Sequence, residues 1–481
     1  MWALVIGFFM ILVDSTIVSV ATPALLQAFD AEITQVMWVT SAYLLAYVVP
    51  LLITGRLGDR FGPRRLYLIG LLGFTAASLW CGLAGDITSL ILARVAQGLA
   101  AALMTPQTMT VITRMFPPHR RGTAMGLWGG IAGLATLVGP ILGGLLVTGP
   151  GWEWIFIINV PIGVIGFVLA VMWVPRLSSR AHRFDWFGVL LSAVALFSIV
   201  FGIQEGETFN WSLPVLGLIA FGVLVLMAFI WWQQKSSAPL TPPVLFRDRN
   251  FSLANVCIVT VGFVITAMPI PLVLYFQSGR GLTAAESALM FAPSAVLSGV
   301  LAPFVGRYVQ SRNPKGVAIF GLSMLAIALL MYAAMFVSNS PLLWMLLPSV
   351  LLGFANACMW GPISLTATRN LPPERAGAGS GVYNTTRQVG AVLGSAVVTA
   401  VLAAQLVRTL GPSGEGLLHA TTPIPPADLA PFAESMAIAI LVPAAVALVG
   451  MSVAFFWKAP TLEQLGRAPR TTETEAQSVT T

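Results

Sequence analysis

The sequence predicts an all-α polytopic membrane protein with fourteen transmembrane helices and both termini in the cytoplasm. Three observations lead there. Of 481 residues, 57% are hydrophobic and 9% charged, and mean hydropathy is +0.87, whereas soluble domains carry about 25% charged residues. Apolar runs of the length that spans a bilayer, about 20 residues, recur along the whole chain. Basic residues crowd into alternate loops, which marks those loops as cytoplasmic.

The runs fall at 3–27, 35–54, 66–84, 88–112, 123–147, 152–174 and 186–204, then at 213–233, 253–277, 284–305, 316–337, 341–367, 379–405 and 434–457. The first lacks a basic leader and is interrupted by Asp14, so it reads as a retained membrane helix and not a signal peptide. Of the 25 basic residues, 21 lie after even-numbered segments or in the tail. Arg280 and Arg408 face the other side, and Arg94 and Arg387 lie inside segments. An even number of spans places both termini on the basic, cytoplasmic side.

Several function classes drop out. Cys81, Cys257 and Cys358 sit in apolar runs, which disfavours disulfides, and His119, His182 and His419 occupy three separate loops with no metal-ligand spacing. The chain lacks a GxxxxGK[ST] phosphate loop and any nucleophile–base constellation, so it reads as neither an ATPase nor another enzyme. The net charge of +7 is accounted for by the cytoplasmic arginines and implies no nucleic-acid partner. Energy would come from an ion gradient, with no cofactor and no metal.

The chain repeats itself. FPPHRRGTAMGLW (116–128) matches LPPERAGAGSGVY (371–383), so that Gly122 and Gly126 recur as Gly377 and Gly381, and Gly139 as Gly394. A weaker echo pairs Gly55-Arg56 with Gly306-Arg307. The expected plan is a six-helix bundle over 1–175, a two-helix insertion over 176–250, a second six-helix bundle over 251–460 and a disordered cytoplasmic tail over 461–481. Repeats of this kind build transporters whose substrate site lies between the halves near the midplane.

Asp14 is the only charged residue from Met1 to Phe29. An acid at that depth is costly, by about 2.5–3.5 kcal/mol on insertion scales, and usually marks an ion or substrate pathway. In LILARVAQGLAAA (90–102), Arg94 and Gln97 are three apart and share a helix face. Counting 1.5 Å per residue, Arg94 lies about 9 Å below the outer edge and Asp14 about 16 Å above the inner edge of a roughly 30 Å core, within reach of an arginine side chain. A nearby cation favours an ionised carboxylate and its withdrawal favours the protonated one, a physical route to proton uptake and release. A static buried salt bridge is the competing reading. GRLGDRFGPRR (55–65) places Asp59 among glycines that allow tight turns. In AGLATLVGPILGG (132–144), small residues let helices approach closely and proline bends the segment. In the thirteenth segment Asn384, Arg387 and Gln388 share a face beside Tyr383, and a buried arginine there needs a partner or a wet cavity. Trp360, beside Gly361-Pro362, adds an aromatic able to hold a lipophilic cation.

Read in order, with VDSTIVSVATPAL (13–25) in the first segment, these motifs resemble those of the fourteen-helix drug:proton antiporter family of the major facilitator superfamily, over nearly the whole chain. Residues 13–25 resemble LDxTIVNVALP, with Ser19 for the usual Asn and Thr22 for the usual Leu. Residues 55–65 resemble GxLADRxGRR, with Pro63 for a basic residue; 90–102 resemble LxxxRxxQGxGAA, with Ala100 for a glycine; 132–144 resemble GxxxGPxxGG, with Ala135 for the lead glycine. GWEWIFIINVPIG (151–163) is similar to the family's sixth-helix opening, with Glu153 where a basic residue is usual.

The resemblance implies proton coupling at Asp14 with Arg94, and a conformational latch at Gly55, Asp59, Arg60, Gly62, Arg64 and Arg65. It also implies an antiporter packing motif at Gly139, Pro140, Gly143 and Gly144. Gln97, Trp360, Tyr383, Asn384, Arg387 and Gln388 are the expected substrate-pathway residues. The implied activity is proton-coupled export of small hydrophobic or cationic drugs across the cytoplasmic membrane by a monomer. An exporter of an endogenous lipid, siderophore or secondary metabolite is the alternative on the same fold, and a non-transporting scaffold or sensor the third.

Overall fold

A computed structural model describes residues 2–117, 121–177, 184–206, 208–209, 211–310, 312–411, 424–425 and 427–458. Those residues form helices and connecting turns, with no strand among them. The helices are α1 (Trp2–Phe29), α2 (Ile33–Val48), α3 (Leu51–Phe61), α4 (Pro63–Gly82), α5 (Ile87–Met115), α6 (Arg121–Thr148), α7 (Trp154–Ile157), α8 (Asn159–Trp173) and α9 (Trp186–Gln204). There follow α10 (Leu213–Lys235), α11 (Arg249–Ala267), α12 (Pro269–Leu274), α13 (Ala284–Leu289), α14 (Ala292–Gln310), α15 (Pro314–Val337), α16 (Leu346–Thr368), α17 (Ala376–Leu410) and α18 (Leu429–Ala454). Among the described residues, eleven helices are long and apolar enough to cross a membrane, or twelve when the bent pair α2 and α3 counts as one span.

The sequence suggested one helix over 35–54 followed by a loop. Instead the chain bends by 45° between α2 and α3 and stays helical through Phe61. Pro50 stands at the break, where its missing N–H interrupts the hydrogen-bond ladder. Gly55 and Asp59 therefore project from a helix. The chain then reverses at Gly62, whose φ of +91° lies in the region that favours glycine, and Pro63 opens α4 at its first turn. Of the segment 408–432, whose Pro, Gly and Thr content predicts an irregular outer loop, residues 412–423 and 426 lie outside the described residues, as does the tail 461–481.

Helices α1 to α8 pack mainly with one another, as do α11 to α18, and the two sets meet along two seams. One seam runs between α3 and α17, the other between α6 and α14. Both depend on glycine. A Cβ on Gly55 would lie 2.6 Å from the Gly377 carbonyl oxygen and 2.8 Å from Gly381 Cα; one on Gly126 would lie 2.8 Å from the Ala302 oxygen and 2.8 Å from Gly306 Cα. These are the glycines of the internal repeat, used crosswise. The first-half copy of one motif packs against the second-half copy of the other. An apolar core crosses between the sets, bringing Phe8, Met109, Ile112 and Trp128 into one cluster with Trp360 and Tyr383.

Helices α9 and α10 form a hairpin attached to this body through α9, which touches α2 and α17, while α10 packs chiefly on α9. At one end Asp185 accepts hydrogen bonds from the Gly188 N–H at 2.9 Å, Trp232 Nε1 at 2.9 Å and Gln233 Nε2 at 3.0 Å. Just past the far end of α9, Glu205 is buried beside Ser41 of α2 and Thr208, and burial pushes its carboxyl above the ordinary range.

Filling a seam glycine should hold the arginine-rich ends apart. Gly126→Val is expected to lengthen and broaden the distance distribution between spin labels at exposed Phe61 and Tyr308, measured by double electron–electron resonance. An unchanged distribution would remove close glycine packing as the basis of the seam.

Candidate functional site

The buried polar centre of the first helix set is built on Asp14. Its side chain and those of Arg94 and Gln97 are fully buried. Arg94 Nη1 donates to Asp14 Oδ2 at 2.6 Å and to Gln97 Oε1 at 2.5 Å, while Arg94 Nε donates to the Val39 carbonyl at 3.1 Å. Gln97 Nε2 donates to Asp14 Oδ1 at 2.8 Å and to Ser78 Oγ at 2.8 Å, and Asn159 Nδ2 reaches Asp14 Oδ1 at 3.3 Å. Five helices contribute: α1, α2, α4, α5 and α8. The i, i+3 spacing of Arg94 and Gln97 delivers both donors to one carboxylate. The guanidinium carbon lies 4.0 Å from the Tyr43 ring centroid, which adds cation–π contact. Both carboxylate oxygens are engaged.

The expected pathway face on α17 is also buried. Tyr383 and Asn384 are fully enclosed, and Gln388 and Arg387 are 8% and 9% exposed. Asn384 Nδ2 donates to the Ser380 carbonyl at 2.9 Å, and Arg387 Nη2 donates to Tyr47 Oη at 3.4 Å. Tyr47 in turn donates to Thr105 Oγ1 at 3.1 Å and lies 6.0 Å, ring to ring, from Tyr43. Arg94 and Arg387, from opposite helix sets, thus flank one pair of tyrosines. Trp360 takes a different place. It packs against Gly129 of α6, and its Nε1 donates to Asn356 Oδ1 at 3.3 Å.

At the arginine-rich end Asp59 bridges the two sets. Its Oδ1 accepts from Arg114 Nη2 at 2.5 Å and from the Gly377 N–H at 3.0 Å; its Oδ2 accepts from the Ala378 N–H at 3.0 Å and lies 3.7 Å from Arg56 Nη1. The carboxylate sits on the free N–H groups that open α17, where the helix dipole favours negative charge. Thr110 Oγ1 adds a hydrogen bond to Ser380 Oγ at 3.2 Å. Arg56 and Arg114 are not among the expected latch residues, and the three expected arginines point elsewhere. Arg60 stacks on Phe61 and Phe184, Arg64 donates to the Val171 carbonyl and Arg65 is exposed. On the second seam Arg121 Nη1 donates to the Thr368 carbonyl at 2.7 Å, at the C-terminus of α16.

Within the packing motif, Gly139 lies against α1, where a Cβ would strike the Thr16 side chain two residues from Asp14. Gly143 is buried, Gly144 has open space around it, and the Pro140 side chain lies outside the described residues. Reasoning from sequence missed Ser78, Asn159, Tyr43 and Tyr47. Asn159 lies in the quoted stretch GWEWIFIINVPIG, and the i, i+4 spacing of the two tyrosines was the available signal for them. No cluster of His, Cys, Asp and Glu suited to a metal occurs among the described residues.

Removing one member of the buried pair should cost far more than removing both. Arg94→Met is expected to destabilise the protein by about 3–5 kcal/mol by leaving Asp14 without its counter-charge, and the double variant with Asp14→Leu to recover most of that. Thermal unfolding in detergent measures it, and simple additivity of the two single changes would contradict a mutually compensating pair.

A profile of the Major Facilitator Superfamily matches residues 4–395. Over 465 residues the chain is 47% identical to the uncharacterized MFS-type transporter Rv1250 of Mycobacterium tuberculosis (strain ATCC 25618 / H37Rv), covering 95% of this chain and 80% of that one. It is 32% identical to the tetracenomycin C resistance and export protein of Streptomyces glaucescens, covering 94% and 90% respectively. Among solved structures, the proton:xylose symporter XylE superposes with a TM-score of 0.65 at 14% identity, covering 97% of each chain, a likeness of fold alone. With the profile spanning most of its length, this chain belongs to the Major Facilitator Superfamily.

Proposed function

We propose that the protein is a proton-coupled antiporter that exports small drug-like compounds across the cytoplasmic membrane by alternating access. The observation that carries this reading is the buried Asp14–Arg94–Gln97 network, a carboxylate held inside the membrane-spanning helices by groups that can release it. Such an acid has no packing role that an apolar residue would not fill at lower cost. The named export activity of the Streptomyces relative supports the direction of transport.

In this reading the chain has fourteen spans: the twelve above together with α1 and α6, each 28 residues long. They fall into bundles over 1–175 and 251–460 around the α9–α10 hairpin, with both termini cytoplasmic. The arginine-rich seams are then the cytoplasmic gate, closed here by Asp59 on α17 and Arg121 on α16. When the halves rock, Asp59 leaves the α17 N-terminus and the seam glycines separate, opening the site inward. Proton entry from outside neutralises Asp14 and loosens Arg94, and proton loss to the cytoplasm re-forms the pair. Alternate occupancy of Asp14 and the cargo site yields exchange.

Lumenal pH in proteoliposomes tests the reading. Adding a panel of drug-like substrates under a preset proton gradient should release protons in the wild type and not in Asp14→Asn. Equal proton movement in both proteins would remove Asp14 from the coupling, and none with any compound, in folded protein, would defeat antiport.

A further inference from the structure

Asp14 has both oxygens occupied, so it offers no free charge to a cargo. Arg387 is the opposite case. Only 9% of it is exposed, its Nε has no hydrogen-bond partner, and its one described polar contact is the long bond to Tyr47. The ion pairs found among the described residues join Arg94 to Asp14, and Arg56 and Arg114 to Asp59; none involves Arg387. A guanidinium buried among membrane helices without a counter-charge is costly.

Its neighbours are short of partners as well. The hydroxyls of Tyr43 and Tyr383 and Asn384 Oδ1 are buried and unpaired. Tyr43 lies within electrostatic reach of Arg387 and of Asp14. Buried polar atoms are nearly always satisfied, so several unmet groups gathered around one cation mark a place that another molecule completes. We propose that Arg387, positioned by Tyr47 and with the Tyr43 hydroxyl beside it, is a subsite for the anionic group of a lipophilic acid, a carboxylate or phenolate. The proposal rests on the exporter reading and narrows its cargo.

The chemistry of the subsite is one-sided. A guanidinium offers paired N–H donors whose fork matches the two oxygens of a carboxylate; the unpaired Tyr43 hydroxyl adds a donor, and Tyr47, which accepts from Arg387 and donates to Thr105, positions the guanidinium. A cation placed here would meet the like charge of Arg387 and find Asp14 already paired. The body of the ligand has an apolar neighbour in the cluster that joins Tyr383 to Phe8, Trp128 and Trp360. The subsite also adjoins the coupling network, because Tyr43 lies under Arg94 and beside Tyr47.

The test is equilibrium binding to the purified full-length protein in detergent, by titration calorimetry with naphthoate, naphthamide and naphthylmethylammonium. These probes share a ring system and differ in charge. The wild type should bind naphthoate about tenfold more tightly than naphthamide, with the ammonium weakest. Arg387→Gln should bring the acid and the amide together, and Arg387→Lys should keep part of the preference. Tyr47→Phe should lose part of it, which keeps the test decisive if Arg387→Gln fails to fold. Equal affinity for acid and amide in the wild type overturns the proposal, as does no binding of naphthoate or a preference that survives Arg387→Gln. Binding needs no proton gradient, so the outcomes separate. A wild type that prefers naphthoate yet moves no protons retains the subsite and sinks the antiporter, and the reverse result does the opposite.

Discussion

The constraint on which the rest depends is that a carboxylate cannot remain charged among membrane helices without compensation. Asp14 meets it with a guanidinium at 2.6 Å and two amides. Two donors arrive on α5 and the third on α8, so the positions of these helices relative to α1 are set partly by one acid. Gly139 lets α6 approach α1 beside it. Arg94 is also bound to the Val39 carbonyl and to Gln97; under the proposed antiport, protonating Asp14 would remove the counter-charge without leaving the arginine bare.

A second acid ties the helix sets together at a distance from Asp14. Asp59 joins the helix sets by accepting N–H groups from the start of α17, a contact that any separation of α3 and α17 must break. The second seam has the same glycine geometry. There Arg121 holds the carbonyl end of α16. One seam thus uses an anion on a helix N-terminus and the other a cation on a helix C-terminus, both matched to the helix dipole. Pseudo-symmetry in the backbone is combined with opposite charge chemistry at the two joints.

Much of this was readable in the chain, for identifiable reasons. Asp14, Arg94 and Gln97 could be paired because helical rise places the acid and the arginine at similar depth, and because Arg94 and Gln97 share a face. The internal repeat identified the seam glycines. That the copies pack crosswise is a tertiary fact that no local pattern carries. Ser78 and Asn159 went unmarked because a single small polar residue in an apolar run is as consistent with a self-satisfied turn as with a distant partner. The stretch from Gly55 to Phe61 reads as a loop by its glycines and charges, yet packing against α17 keeps it helical. Spacing put Asn384, Arg387 and Gln388 on one face, which the structure buries. What spacing could not reveal was that the described partner of Arg387 is a tyrosine of the other half, Tyr47.

The most direct measurement is infrared difference spectroscopy of the purified protein across an acid step in the presence of a transported substrate. The account predicts that a protonated-carboxyl C=O band appears in the wild type and that this band is missing in Asp14→Asn. A band of equal size in both proteins, or none in the wild type, would mean that Asp14 remains a permanently ionised structural anion and that protons are exchanged elsewhere.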